Sequence, residues 1–101
     1  MGVVVLKYCF VRIPLEYEDQ LKDLIDEIKE IAKEMGCKRI RSRKVVTWFE
    51  PKREYRFYFD TEEQIEKFLD RISPMYHRAM NDLGGKSWRV KPGDTVILND
   101  P

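Results

Sequence analysis

A run of basic residues is the strongest candidate for chemistry in this chain of 101 residues. Residues 38–44 read KRIRSRK, so five of seven positions are Lys or Arg and no acid lies among them. Like charges at this density repel one another, and the repulsion is relieved when an anion binds. The run therefore predicts a surface that attracts a polyanion, although the formal net charge of the chain is only +1.

The other reactive side chains do not form a familiar catalytic or metal-binding motif. His77 is the only histidine, and Cys9 and Cys37 fit no ordinary metal-ligand spacing. His77 has the residue type for acid–base catalysis of RNA cleavage, but a lone histidine late in a helix is typical of a surface position. We therefore predict no catalytic residue, no metal and no cofactor. The two cysteines are expected to be reduced thiols, with a disulfide as the alternative in a hyperthermophile.

The hydrophobic pattern divides the chain into six elements that would position the basic run. Strands are predicted at about 3–13, 38–50 and 53–60, followed by a broken last strand in which SWRV and TVIL flank KPGD. Residues 50–53, EPKR, are expected to form the turn between the second and third strands. Amphipathic helices are predicted from about residue 16 to Gly36 and from Thr61 to Gly84. Thr61 and Gln64 fit a capping box, and Pro74 is expected to kink or break the second helix.

This order predicts a single domain over residues 1–101 of the α+β class. The expected fold is a ferredoxin-like βαββαβ sandwich, in which two helices pack on one face of a four-stranded antiparallel sheet. The charges divide along the same lines. Residues 15–36 hold eight acids against three lysines, residues 60–83 hold six acids against three bases, and the rest of the chain carries +9. An acidic helical layer would therefore lie against a basic sheet.

The alternation of side chains along each strand places cations on the face that the helices leave open. The inward residues would be Ile40, Val46, Trp48, Tyr55, Phe57, Phe59, Trp88 and Val90. The outward residues would be Arg39, Arg41, Arg43, Arg56, Tyr58, Arg89 and Lys91. The first strand fits two orientations, one with Lys7 outside and one with Tyr8, Phe10 and Arg12 outside. Periodicity does not decide between them.

Two short segments carry a resemblance to a known family. In REYRFYF, the residues Arg53, Tyr55 and Phe57 match basic and aromatic positions, and CFVRIP contributes Phe10. The arrangement resembles the RNA-recognition-motif family in architecture, and this resemblance implies bases stacked on aromatic residues of the two central strands. Glu54 and Arg56 stand where that family has small residues.

These observations predict a small nucleic-acid-binding protein that uses the open face of its sheet for RNA or single-stranded DNA, without strong sequence specificity. The residues expected to hold phosphates are Arg39, Arg41, Arg43 and Lys44, and Arg56, Arg89 and Lys91 would extend their row. Tyr58 is expected to stack on a base, and Tyr8 and Phe10 would do so, with Arg12 beside them at the interface, if the first strand turns that side outward. The alternative is a homo-oligomeric structural or protein-interaction module, a homodimer through the sheet face or edge. The composition favours a thermophilic source, and the short apolar runs favour a cytoplasmic protein that does not contact membranes.

Overall fold

The computed structural model describes residues 5–47, 50–83 and 96–99, with side chains described for residues 6–46 and 50–83. Its elements, in chain order, are β1 (Val5–Pro14), a short 3₁₀ helix (Leu15–Tyr17), α1 (Lys22–Glu34), β2 (Arg39–Thr47), β3 (Glu50–Phe59), α2 (Glu62–Asp82) and β4 (Val96–Asn99). Two helices and an antiparallel sheet confirm the α+β class. No helix in the described part of the chain is long and apolar enough to cross a membrane.

The sheet differs from the predicted one at its last strand. Its body consists of three long antiparallel strands in the order β2-β3-β1, and β4 pairs with β1 over four residues only. The prediction of a four-stranded ferredoxin-like sandwich is therefore wrong. The described residues form a three-stranded sheet with two helices, beside which lies a short segment from the TVIL end of the expected fourth strand.

The sequence contains a physical reason for this short last strand. Pro92 cannot donate a hydrogen bond to a neighbouring strand, and Gly93 weakens a strand because it has no side chain to pack. The described strand begins only beyond these two residues, at Val96. Residues 84–95, which include the SWRV segment and the expected phosphate ligands Arg89 and Lys91, lie outside the described residues.

In the hairpin of β2 and β3, β2 ends earlier than the sequence suggested, at Thr47, and β3 begins earlier, at Glu50. Thr47 pairs with Glu50 and Val46 with Pro51, so residues 50–53 belong to β3 and do not form the predicted turn. Val46 has the parity of the helix side, yet it is 71% exposed instead of lying in the core. The prediction that Val46 is a core residue is therefore wrong, because the far end of the hairpin is not covered. The expected core residue Trp48 lies outside the described ranges.

Helix α1 has the apolar stripe that its periodicity predicts. Ile25, Ile28, Ile31 and Ala32 are buried against the sheet. The helix begins at Lys22, later than predicted, because residues 15–17 form the 3₁₀ helix. It ends before Gly36, whose φ of +91° lies in the left-handed region that glycine adopts most readily.

Helix α2 begins with the predicted capping box and continues past Pro74. The Thr61 hydroxyl accepts a hydrogen bond from the backbone N–H of Gln64 (3.2 Å), and the Gln64 side chain accepts one from the backbone N–H of Thr61 (3.1 Å). Of the two effects expected at Pro74, a kink or a break, the break does not occur, since the helix is continuous to Asp82. Pro74 and Asp70 are both exposed, so water can reach the Asp70 carbonyl that loses its usual donor at Pro74.

The capping box gives a simple test of the start of α2. Thr61→Ala should lower the free energy of unfolding by about 1 kcal/mol, because the backbone N–H of Gln64 loses its acceptor. Urea denaturation followed by circular dichroism would measure the change. Thr61→Ser keeps the hydroxyl and should stay within about 0.5 kcal/mol of the native chain. An alanine variant as stable as the serine variant would contradict the capping role.

The core lies between the sheet and the two helices. Cys9, Val11 and Ile13 of β1 meet Tyr55, Phe57 and Phe59 of β3 there. This confirms the inward set predicted for the third strand. It also decides the orientation of β1, which turns Tyr8, Phe10 and Arg12 away from the helices.

Candidate nucleic-acid interface

The face of the sheet opposite the helices is called here the open face, and three of its rows of paired residues carry the predicted interface residues. Each row runs from β1 across β3 to β2, as the antiparallel pairing dictates. The rows are Tyr8–Tyr58–Arg39, Phe10–Arg56–Arg41 and Arg12–Glu54–Arg43. The structure thus brings together eight of the eleven residues predicted for the interface, and it adds Glu54 at their centre.

Glu54 is a buried acid surrounded by arginines. Its side chain is fully buried, and its Oε1 accepts a hydrogen bond from Nε of Arg56 at 2.6 Å. Its Oε2 lies 3.3 Å from Nε and Nη2 of Arg12 and 3.7 Å from Nη2 of Arg43. Burial opposes ionisation of this carboxyl, but the hydrogen bond from Arg56 and the charges of the three arginines outweigh it and lower its pKa. Glu54 is therefore an anion that holds three guanidinium groups.

Arg56 lies at the centre of the middle row and contacts both neighbouring rows. Its guanidinium carbon lies 4.6 Å from the ring centre of Tyr8. Burial opposes its positive charge, but the hydrogen bond to Glu54 and the charge of Glu54 outweigh burial and raise its pKa. Arg41 stands directly opposite Arg56 on β2. A pair of like charges at directly opposed positions is unfavourable unless an anion compensates it.

The aromatic residues predicted to stack on bases lie on the open face, but their rings are largely covered. Tyr8 and Tyr58 pack together with ring centres 5.3 Å apart, and they are only 7% and 4% exposed. The guanidinium of Arg39 lies 5.5 Å from the ring centre of Tyr58. Phe10 is half-buried, with the guanidinium of Arg12 at 4.3 Å from its ring centre. Arginines thus occupy positions at which a nucleic-acid base would stack.

A shallow cavity opens where β2 meets β3 on this face. It measures about 280 Å³ and is lined by Arg41, Ser42, Arg43, Arg56 and Tyr58. We call it the arginine cavity. Arg41 is exposed, and among the described residues it has no ion-pair partner. No protein-family model matches this chain, and no curated protein is significantly similar to it.

Three of the predicted interface residues are not on the described open face. Lys44 is exposed but has the opposite parity, across from Arg53. Arg89 and Lys91 fall outside the described ranges. Reasoning from the sequence missed Glu54, because an acid between Arg53 and Arg56 along the chain gives no sign that Arg12 and Arg43 flank it in space. Only the strand register reveals that arrangement.

The remaining reactive side chains lie away from the open face. Cys9 and Cys37 are free thiols, and burial raises the pKa of Cys9 to about 12, so its reactive thiolate is scarcely populated at neutral pH. Burial also raises the pKa of Cys37. His77 packs edge-on against Tyr76 with ring centres 5.8 Å apart. Within the described ranges, no cluster of His, Cys, Asp or Glu is arranged to hold a metal ion.

Proposed function

We propose that this protein binds nucleic acid, RNA or single-stranded DNA, across the open face of its sheet. One observation carries the proposal. Six cations from three strands share this face with two acids, Glu50 and Glu54, among the described residues. The cations are Arg12, Arg39, Arg41, Arg43, Lys52 and Arg56. A face that only had to remain soluble would mix the two signs of charge more evenly.

The three arginines of β2 are evenly spaced along the strand, so a polyanion could contact them one after another. Alternate residues on a strand lie about 6.7 Å apart, so Arg39, Arg41 and Arg43 span about 13 Å along the sheet edge. Arg56 lies one strand further in, opposite Arg41. Guanidinium groups present several donors in a fixed plane and bind phosphate oxygens in pairs. A flexible polyanion can therefore follow the edge from one arginine to the next.

Electrostatic attraction, more than stacking, is the expected source of affinity. Tyr8 and Tyr58 are covered, and Phe10 is the one half-exposed aromatic side chain among the three that were predicted to stack. Base stacking contributes about 1–3 kcal/mol per base where rings are free. Binding should therefore depend steeply on salt and little on sequence.

A salt titration with charge variants tests the proposal. The affinity for a labelled single-stranded 20-mer would be measured by fluorescence anisotropy at several salt concentrations. The triple change of Arg39, Arg41 and Arg43 to Ala should make the plot of log affinity against log salt shallower by about 2, at 0.7 per lost phosphate contact.

The matched control removes three positive charges from the helical layer instead. The exposed residues Lys22, Lys33 and Lys67 would be changed to Ala, which lowers the net charge by the same amount. This control should keep the slope of the native chain. Equal slopes for both triple variants would show that general charge, not the open face, attracts the oligonucleotide. No binding at low salt would refute the proposal.

A homodimer through the sheet face or edge stays a prediction, as do the thermophilic source and the cytoplasmic location. The charge of β2 disfavours one form of the dimer. Four of its nine residues are Lys or Arg, so two copies of β2 paired edge to edge would bring cations close together. Light scattering at high protein concentration would measure the oligomeric state.

A further inference from the structure

The arginine cavity has features that set it apart from the rest of the open face. We propose that it binds a terminal phosphate group, the phosphate monoester at the end of a nucleic-acid strand, through Arg41, Arg43 and Arg56. This inference rests on the proposed function and specifies which part of the polyanion the cavity binds.

The first support is a pair of opposed like charges, only one of which has an acid partner among the described residues. Arg41 and Arg56 are directly opposite each other, which is the least favourable position for two cations on adjacent strands. Glu54 engages Arg56 through its Nε at 2.6 Å, whereas Arg41 has no acid partner in the described part of the chain. An anion held between the two guanidinium groups would convert this repulsion into attraction.

The second support is the amount of charge. Arg41, Arg43 and Arg56 together carry three positive charges, and Glu54, which contacts two of them, supplies one negative charge. Because Glu54 also contacts Arg12, at least two positive charges remain at the cavity. A phosphate monoester carries about −1.5 to −2 at neutral pH and balances them, whereas an internal phosphodiester carries a single negative charge and leaves one uncompensated.

The third support is size and lining. At about 280 Å³ the cavity lies just below the usual range of pockets for whole small-molecule ligands, roughly 300–1,000 Å³. Its one aromatic lining residue, Tyr58, is 4% exposed and offers no free ring face to a base. The cavity is therefore suited to a phosphate and not to a nucleobase. The protein would recognise the terminal phosphate of the strand and not its base sequence.

Competition between matched oligonucleotides tests the inference. Single-stranded 12-mers of one sequence, with a 5′-phosphate, a 3′-phosphate or hydroxyl groups at both ends, would displace a labelled 20-mer at constant ionic strength. A terminal phosphate should tighten binding about tenfold at pH 7.5, the effect of one further charge-assisted contact. The preference should shrink below about pH 6, where the monoester dianion takes up one proton and its charge falls towards −1.

Two single variants locate the effect. Arg41→Ala should abolish the preference for a terminal phosphate, whereas Lys44→Ala removes a neighbouring exposed cation of the opposite parity and should retain it. Equal affinities for phosphorylated and hydroxyl 12-mers would overturn the inference and leave the proposed function standing. Failure of all 12-mers and of the 20-mer to bind would overturn the proposed function itself. Inorganic phosphate that binds as tightly as the phosphorylated 12-mer would assign the cavity to a free anion and also overturn the inference.

Discussion

Glu54→Gln should lower the free energy of unfolding by about 2 kcal/mol. The change keeps the size of the side chain but removes the one negative charge that Arg12, Arg43 and Arg56 share. Breaking a fully buried ion pair from one side costs about 3–5 kcal/mol. The expected loss is smaller because the three arginine side chains are 36%, 57% and 21% exposed and keep part of their hydration. Urea denaturation at pH 7 would measure it.

The control for this change is Glu63→Gln on α2. Glu63 also contacts a cation, Lys67, but its side chain is 76% exposed, so the loss should stay below about 0.5 kcal/mol. The pH dependence gives a second check. Because the folded protein lowers the pKa of Glu54, its stabilising effect is present above the unfolded pKa of about 4.3 and is lost as pH falls through the lower folded pKa. The stability gap between the native chain and Glu54→Gln should therefore close in acid; a gap that persists there would contradict the electrostatic cause.

The affinity of the same variant for an oligonucleotide shows whether net charge or the positions of the arginines matter more for binding. Loss of the Glu54 charge raises the charge of the open face by one and removes the acid that contacts Arg43 and Arg56 of the arginine cavity. Glu54→Gln should thus bind a single-stranded 20-mer several-fold more tightly than the native chain at low salt, although it is less stable. Weaker binding by a variant that is still folded would show that Glu54 positions the arginines and that this positioning matters more than net charge.

Phe68→Ala should be the most destabilising of the changes considered, with an expected loss of about 4 kcal/mol. Phe68 is fully buried on α2, and its ring centre lies 5.0 Å from that of Phe57 and 5.2 Å from that of Phe59. It therefore joins the second helix to the central strand of the sheet. Truncation removes these contacts and leaves a cavity, and Phe→Ala changes in protein cores cost about 3–5 kcal/mol. Thermal and urea unfolding would measure the loss.

A second phenylalanine provides the matched control. Phe10 lies on the open face and is half-buried. Phe10→Ala should cost about 1 kcal/mol of unfolding free energy, because Phe10 buries less apolar surface than Phe68 does. Equal losses for Phe10→Ala and Phe68→Ala would mean that the open face is packed as tightly as the core. That outcome would contradict its assignment as a surface for ligands.

Most of the individual elements could be predicted from the sequence. The stripe of Ile25, Ile28 and Ile31 marks the inner side of α1, Thr61 and Gln64 mark the start of α2, and Gly36 marks the end of α1. These signals act within a few residues along the chain, where helical periodicity and capping operate. The parity of Arg39, Arg41 and Arg43 also follows from local alternation along one strand. The sequence by itself thus determined the elements and the presence of a basic row on β2.

The tertiary structure decided which side chains of different strands lie next to one another. The orientation of β1, the place of Glu54 between Arg12 and Arg43, and the opposition of Arg41 and Arg56 all depend on the register between strands far apart in sequence. A shift of one residue turns every side chain of a strand to the other face, and local patterns that fit two orientations, as in β1, do not fix it. The exposure of Val46 likewise depends on which part of the sheet is covered. The basic run was visible in the sequence, but its buried acid and its cavity exist only because three strands pair in this register.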